Sequence, residues 1–557
     1  MHRANRLGDA VGMATAQQDY VFGPDEQPVV PGSPYTPWHP WPRRVKYGLV
    51  AIGVGISGSF ANALVTVNIA SLAGGIGEYV VLASWLPAIF VAMNACANLM
   101  LIKSRWRFGI PLITRAVVVL YVCMALLQFA MPGFATAIAV RAASGIAAAA
   151  LTTLGLYALL QALSKKVRPA AVAIAIVLPQ FATPLARMVP VELLAQDAWR
   201  GLRLFELGTA LAALAFTWSL SLPPSHRLQA FERLDFVTIA ILVPAFVLLC
   251  GVLGLGRVVW WTDTPWLGVM LAVSVVLFAV AIGIERSRRV PLIHVTWLGT
   301  ADLLRFTAVA VLVRLALAEQ SYGAVGLLTS GGLNNDQLRT LFLWVLVAMV
   351  LGTLTAAVTL SLARLPYQVM AAAFIIAIGA WLDSDANNLT RPEQLYVSQA
   401  LIGFGTTLFI GPALLYGLFR LRAATPQFLV SFVVLFGVTQ NVGGLAGSAL
   451  LGSYQQIAAR EHAQVLSAQL VASDANVATR LQGGASTLAP SVVDPGLRSA
   501  RSGALLAQAL NREANVLAFN DVFRVVAILA AATGLYVAYL IAVAARKGDP
   551  SALDPNR

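Results

Sequence analysis

Residues 138–152 read IAVRAASGIAAAALT, an apolar run of small residues that contains one arginine, Arg141. A charged side chain at membrane depth costs about 2.5–3.5 kcal/mol on insertion scales, so it is retained where it faces a partner or an aqueous cavity. After Arg141, Ser144, Gly145 and the alanines that follow leave a helix face bare enough for a neighbouring helix to approach closely. The stretch therefore predicts a helix inside a membrane-embedded bundle, with Arg141 on a solute pathway.

The composition of the whole chain agrees with this interpretation. Hydrophobic residues make up 58% of the 557 residues and charged residues 11%, with a mean hydropathy of +0.76. These values lie far outside those of soluble domains and predict an all-α polytopic membrane protein. The net charge of +13 comes from clusters between apolar runs, which indicates positive-inside loops and no nucleic-acid partner. The cysteines fall within apolar runs and predict core packing without disulfide bonds.

Fourteen apolar runs are long enough to cross a hydrocarbon core of roughly 30 Å. Alternate loops carry most of the lysines and arginines, which predicts that both termini are cytoplasmic in a multi-pass protein of the inner (plasma) membrane. Residues 1–45, polar and rich in proline, predict a disordered cytoplasmic tail, and residues 546–557 a second tail. The predicted spans are 47–68, 79–102, 110–130, 135–161, 169–188, 202–222, 236–256, 265–284, 303–328, 339–362, 367–383, 395–419, 427–452 and 521–545.

One connection is much longer than the others. Residues 453–520 are polar but contain stretches with apolar residues at intervals of three and four, which is typical of amphipathic helices. The alternation of the spans places this connection on the extracytoplasmic face. It therefore predicts a helical segment outside the membrane.

Three motifs give the chain a family resemblance. Arg141 is followed at three and four residues by Ser144 and Gly145, residues 402–412 read IGFGTTLFIGP, and residues 440–452 read QNVGGLAGSALLG. In this order and spacing they resemble the fourteen-span drug:proton antiporters of the major facilitator superfamily.

That resemblance implies a major facilitator fold with two six-helix bundles, 46–222 and 303–545, and two extra transmembrane helices inserted between them at 236–284. It also implies a secondary active transporter that exports small amphipathic or aromatic molecules by alternating access, driven by an ion gradient. Family members often work with a periplasmic adaptor protein, so the segment 453–520 is expected to contact one.

The chain departs from the family pattern at three places. Span 1 offers Asn62 and Asn68 where the family usually has an aspartate, and the loop after span 2, LMLIKSRWRFG, lacks the usual acid. Span 5 keeps Pro184 but replaces the glycines around it, in part with Arg187, which at the outer end of the span is expected to extend towards the surface. These departures leave proton coupling open.

Few polar side chains fall within the predicted spans. The ionisable ones are expected on the pathway of substrate or ion, and the amides either bind a ligand or hold helices together. Glycines and prolines in the spans predict close helix packing, or bending during alternating access. The pathway candidates are Arg141, Arg314, Glu319, Asn62, Gln180 and Gln440; the candidates for packing or gating are Gly145, Pro184, Gly411, Pro412, Gly443, Gly444 and Gly447.

Glu319 is the candidate protonation site if proton coupling persists. On a straight helix Arg314 would lie roughly 16 Å deep, and Glu319 would be rotated from it by about 140°, so the two would not pair side by side. The hypothesis is that Arg141 and Arg314 bind anionic groups or set the proton affinity of Glu319. The alternative is that Glu319 is solvated at the outer interface and inert.

The motifs of enzymes are missing from the sequence. The histidines are scattered, and there is no HExxH pattern, cysteine cluster or glycine-rich phosphate loop, so no catalytic residue, metal site or cofactor is predicted. The expected partners are a small-molecule substrate, possible protons and the lipid bilayer. Two alternatives stay open: a dedicated metabolite exporter with altered coupling, and a membrane scaffold or subunit that does not transport.

Overall fold

A computed structural model describes residues 26, 33–75, 79–164, 167–223, 232–288, 291–420, 426–471 and 473–546. Each of the fourteen predicted spans corresponds to a helix in it, and we number these α1 to α14. The first eight are α1 Trp41–Val67, α2 Trp85–Phe108, α3 Ile110–Ala130, α4 Phe134–Ala162, α5 Arg168–Met188 with a 3-10 turn at Leu178–Phe181, α6 Val191–Ser219, α7 Arg233–Leu255 and α8 Pro265–Arg286. The others are α9 in two halves, Ala301–Ala316 and Ala318–Ser330, α10 Arg339–Val358, α11 Leu365–Leu382, α12 Tyr396–Arg420, α13 Pro426–Gln469 and α14 Pro495–Arg546.

Twelve helices of the described chain are long and apolar enough to cross a membrane. The two remaining predicted spans are α6 and α9. Helix α6 carries charged residues in its first half, including Arg203 and Glu206, and α9 is interrupted at Leu317. Length and composition therefore support twelve crossings, and the predicted total of fourteen stays a prediction.

Helices α1 to α6 form one bundle and α9 to α14 a second, which we call the N-bundle and the C-bundle. Helix α4 lies at the centre of the N-bundle and packs on α1, α2 and α3. Its small residues permit this, because a Cβ atom on Gly145 would lie 2.6 Å from the carbonyl oxygen of Phe90 in α2. Gly109, at a positive φ of 84°, ends α2 and allows α3 to begin at the next residue.

Helices α7 and α8 form a hairpin beside the two bundles. Helix α7 packs on α2 of the N-bundle and on α13 of the C-bundle, whereas most of α8 is exposed in the absence of lipid. We call the face where α1 begins the terminal face and the face where α1 ends the distal face. At the terminal face the hairpin joins α2 through buried ion pairs, which are described below.

The two longest helices extend beyond the distal face. Helix α13 runs 17 residues past the predicted end at 452, and α14 begins 26 residues before the predicted start at 521. At about 1.5 Å per residue these extensions are roughly 25 and 39 Å long. A further helix, Ala475–Leu488, packs on α14. The long connection is thus built from extended membrane helices, held together by the pair His462–Asp521 at 2.6 Å.

The predicted N-terminal tail ends earlier than expected. Helix α1 begins at Trp41, where proline at its first turn is compatible with a helix start, and residues 33–40 pack against the terminal end of α4. The Nε2 group of His39 donates to Oε1 of Gln161 at 2.8 Å, and Nε2 of Gln161 donates to the carbonyl of Tyr35. The predicted disorder is therefore wrong for 33–45, and the rest of the tail lies outside the described residues apart from Glu26, as does most of the tail 546–557.

The prediction that the cysteines pack in the core is confirmed for Cys96 and Cys250, which are buried in helix packing. It is wrong for Cys123, which is exposed on α3, and all three cysteines are free.

Candidate substrate pathway

At the distal face the two bundles are joined by a cluster of three polar side chains, which we call the distal clasp: Asn68, Arg187 and Asn335. Nη1 of Arg187, at the end of α5, donates to Oδ1 of Asn335 at 2.5 Å. Nδ2 of Asn335, in the loop before α10, donates to Oδ1 of Asn68 at 2.9 Å. Arg187 also stacks over the ring of Phe342 at 5.0 Å and is only 6% exposed. The expectation that Arg187 extends to the surface is wrong, because a hydrogen-bond acceptor and an aromatic face from the C-bundle hold it.

Closer to the membrane centre the bundles meet through α2 and α13. Nδ2 of Asn441 donates to Oδ1 of Asn94 at 2.8 Å, and Asn94 also donates to the carbonyl of Gly145. Gly411 of α12 lies against Ala173 of α5, where a Cβ atom would approach to 2.9 Å. Pro412 follows inside α12, and Pro184 is buried in α5 opposite α10. Gly411 thus sits at the contact between the bundles.

The predicted amides lie on helices that line this interface. Asn62 and Gln180 are half-buried on α1 and α5, and Gln440 is 6% exposed on α13. Within the described residues, Oδ1 of Asn62 and both side-chain polar atoms of Gln440 are buried without a hydrogen-bond partner. Buried amide groups without partners are costly, so these side chains are available for a ligand or for water.

Arg314 and the glycines of α13 form one packing unit. Nε of Arg314 donates to the carbonyl oxygen of Gln440 at 2.8 Å, and a Cβ atom on Gly444 would lie 2.5 Å from Nη2 of the arginine. A Cβ atom on Gly443 would lie 3.1 Å from Cγ of Arg314, and one on Gly447 2.8 Å from Ala318. These glycines therefore make room for Arg314 and for the backbone of α9.

Arg141 pairs with Glu206 of α6, and both residues are at most 2% exposed. The side chain of Arg141 therefore points into the N-bundle. The described residues give it no contact with Glu319 or Arg314, which belong to the C-bundle. Sequence reasoning missed Glu206, although it is a lone acid in the apolar run LRLFELGTALAAL, and this signal could have found it.

Glu319 is fully buried, so the alternative of a solvated residue at the outer interface is wrong. Nε2 of Gln399 in α12 donates to Oε1 of Glu319 at 3.0 Å and to Oδ2 of Asp383 at 2.7 Å. Asp383, just after α11, is 2% exposed, and Oε2 of Glu319 has no hydrogen-bond partner in the described chain. We call Glu319 and Asp383 the carboxylate pair. Sequence reasoning missed Asp383 because it stands at the end of a span, where acids are usually solvated.

No protein-family model matches the chain, and no curated protein matches it. Solved structures do match in fold. A structure described as substrate recognition in proton dependent oligopeptide transporters aligns with a TM-score of 0.54 at 12% identity, covering 90% of this chain and 100% of that one. A bacterial homologue of the human drug peptide transporters PepT1 and PepT2 gives 0.53 at 11% identity, with 90% and 99% covered. The chain has the major facilitator fold.

The hairpin of α7 and α8 supplies acidic partners to the basic end of α2. Lys103, in the last turns of α2 and not in the loop that the sequence predicted, has no acid near it in sequence, but its Nζ atom lies 2.7 Å from Oδ1 of Asp235 in α7. Arg288, just after α8, lies 2.6 Å from the same carboxylate and 2.7 Å from Glu285. We call these residues, with Glu232, the terminal ion cluster. The acidic partners of Lys103 thus come from the hairpin and not from the residues next to it in sequence.

Proposed function

We propose that the protein is a secondary transporter that exports small amphipathic or aromatic molecules by alternating access. In its sequence motifs it resembles the fourteen-span drug:proton antiporters, and we propose that it acts in the inner (plasma) membrane with both termini cytoplasmic. The fold supports transport, because in this architecture solute binds between the two bundles and is exposed to each side in turn. The observation that carries the proposal is the distal clasp. Because this contact between the bundles consists of three polar side chains, it can open while each bundle stays folded.

A crosslink across the clasp tests this proposal. In a variant whose three cysteines are replaced by alanine, Asn68→Cys and Asn335→Cys joined by a short thiol crosslinker should abolish uptake or efflux of an aromatic cation such as ethidium in reconstituted vesicles. A crosslink between Ala245→Cys and Ser274→Cys, which joins the two helices of the hairpin where Ser274 contacts the carbonyl of Ala245, should leave flux unchanged. Full flux with the clasp crosslinked would show that the bundles do not separate there.

Proton coupling is proposed at the carboxylate pair. Two carboxylates share the donor group of Gln399, and the described residues place no cation against them, so ionising both is strongly disfavoured. One proton on the pair removes the repulsion between the two negative charges. In this proposal Oε2 of Glu319, which has no hydrogen-bond partner in the described chain, carries that proton. Glu319 is thus the proposed protonation site. Arg314, which lies between α9 and α13, is proposed to bind anionic groups of the solute.

Flux with and without a proton gradient separates the proposal from its alternatives. Gradient-driven flux of ethidium that Glu319→Gln abolishes at equal protein level supports coupled export. Flux that ignores both the gradient and the substitution favours a dedicated metabolite exporter with altered coupling. An absence of flux for a broad panel of amphipathic compounds, with the protein folded, favours a membrane scaffold or subunit that does not transport.

The distal helices are proposed to contact a periplasmic adaptor protein. The extensions of α13 and α14 and the helix Ala475–Leu488 form a helical rod beyond the distal face. This rod is much longer than an ordinary loop between two helices. Photo-crosslinking from Val465 and Leu505, two exposed apolar residues of this rod, should capture a partner in the native membrane. Normal activity after deletion of 470–494, together with no captured protein, would remove the adaptor from the proposal.

A further inference from the structure

A cavity of about 320 Å³ lies inside the N-bundle at its distal end. Its lining residues within the described chain all fall between Val65 and Glu206, so none of the described residues of the C-bundle contributes to it. The cavity is therefore separate from the interface between the bundles, where the transport pathway is proposed. Its volume lies at the lower end of the range for small-molecule sites.

The walls of the cavity are mainly apolar and its polar groups are concentrated on one side. Leu86, Phe134, Trp199 and Leu202 form much of the apolar wall. Trp199 is 4% exposed and has a positive φ of 65°, a backbone conformation that is unusual for a bulky residue. Such a wall suits an aromatic or branched aliphatic group.

The polar side consists of Arg141, Arg203 and Glu206. Arg203 and Glu206 are one helical turn apart on α6, and Arg141 faces them from α4, so the lining carries two guanidinium groups and one carboxylate. One Nη atom of Arg141 pairs with Glu206, but Nη1 is buried and has no hydrogen-bond partner in the described part of the chain. A guanidinium presents its N–H groups as a fork that fits two oxygen atoms, so half of the fork of Arg141 is unused.

We propose that this cavity binds a small monoanionic amphipathic molecule, of the class of aromatic carboxylates, with its carboxylate on Nη1 of Arg141 and its apolar body against Trp199 and Phe134. The unpartnered N–H groups on Nη1 of Arg141 favour an anion over a neutral molecule, because a hydrogen bond to a charged acceptor is the stronger one. The carboxylate satisfies a donor that otherwise stays buried and unpaired, which is a costly state. The site does not depend on transport, because binding requires only the N-bundle.

Glu206 competes with the ligand for Arg141, and this gives the proposal a directional test. Replacing Glu206 by glutamine removes the competing charge and should tighten binding of an anion. Replacing both Arg141 and Glu206 by glutamine keeps two polar side chains of similar size but removes both charges, so the bundle should fold while anion binding is lost. If the ion pair is purely structural, neither substitution changes the affinity for a ligand.

The experiment measures binding of 4-fluorobenzoate to the purified full-length protein by fluorine NMR, with 4-fluorobenzamide as the neutral isostere. The proposal expects benzoate to bind more tightly than benzamide, binding to be tightened by Glu206→Gln, and binding to be weakened roughly tenfold or more in the double variant. Ala137→Phe, which fills the cavity without changing charge, should also abolish binding. Arg115→Gln is the matched control, because it removes a guanidinium of the same bundle that stacks on Trp218 outside the cavity.

The opposite results overturn the proposal. Equal affinities for 4-fluorobenzoate and 4-fluorobenzamide would show that the site does not recognise the negative charge. Benzoate binding that survives both the double variant and Ala137→Phe would place the ligand elsewhere, and no detectable binding by the wild-type protein would remove the site altogether.

Discussion

The two bundles bury charge in opposite ways. In the N-bundle Arg141 and Glu206 form a pair of opposite sign, whereas in the C-bundle Glu319 and Asp383 have the same sign and share the side-chain amide of Gln399. A buried pair of opposite sign holds its charges together and is strongly destabilised when one partner is removed. A buried pair of like sign is relieved by a proton or by removal of one carboxylate. Removing one charged member of the pair should therefore have opposite consequences for stability in the two bundles.

The largest expected effect is on the N-bundle. Arg141→Ala leaves Glu206 buried without its cation and should lower the free energy of unfolding by about 3–5 kcal/mol. Denaturant unfolding in detergent micelles measures this. Combining the change with Glu206→Gln should restore much of the loss, and a single variant as stable as the wild-type protein would show that the pair is not desolvated.

The terminal ion cluster tests whether opposite-sign pairing behaves alike elsewhere. Lys103→Ala removes one of two cations from Asp235 while Arg288 stays, so we expect a smaller loss of about 1–3 kcal/mol. The loss should be accompanied by faster hydrogen exchange in α7, because the cluster ties the hairpin to α2. An unchanged rate of hydrogen exchange in α7 would show that the cluster does not hold the hairpin against α2.

The carboxylate pair should respond in the opposite direction. Glu319→Gln removes one of two like charges or their shared proton and keeps a polar group of the same size, so the free energy of unfolding at neutral pH should stay within about 1 kcal/mol of the wild-type value or rise. The same denaturant experiment provides the comparison with Arg141→Ala. A loss as large as that of Arg141→Ala would mean that Glu319 is held as an anion by a cation.

The smallest effect concerns the N-terminal segment. Burial lowers the pKa of His39, an effect opposed by its hydrogen bond to Gln161 and reinforced by the nearby charge of Arg43. A histidine whose pKa is lowered on packing stabilises the packed segment fully above its usual pKa and less as the pH falls through the lowered value. Limited proteolysis near Tyr35 should therefore increase on acidification below about pH 6.5. His39→Gln should flatten this pH dependence.

Much of the fold could be predicted from the sequence because it depends on features of short stretches of the chain. The fourteen helices follow from apolar runs, and Arg141 follows from the cost of a charge at membrane depth. The ends of α13 and α14 could not be predicted in this way, since an amphipathic helix can continue from a membrane span without any break in its backbone pattern.

The partners of the buried charges could not be predicted, because they are long-range. Glu206 is 65 residues from Arg141, and Gln399 is 80 residues from Glu319. The ion pair Lys103–Asp235 joins the last turns of α2 to the hairpin of α7 and α8, 132 residues away in sequence. In each case the sequence identifies one charged residue, and only the packing of helices identifies the group that faces it.

The most direct test of the contrast between the bundles is infrared difference spectroscopy of the carboxyl groups in the purified protein. At neutral pH the account predicts a carbonyl band of a protonated, buried carboxylic acid that is lost in Glu319→Gln. The same band should be unchanged in Glu206→Gln, because Glu206 is paired with the guanidinium group of Arg141. A band that persists in Glu319→Gln, or that disappears in Glu206→Gln, would contradict the assignment of the proton to the carboxylate pair.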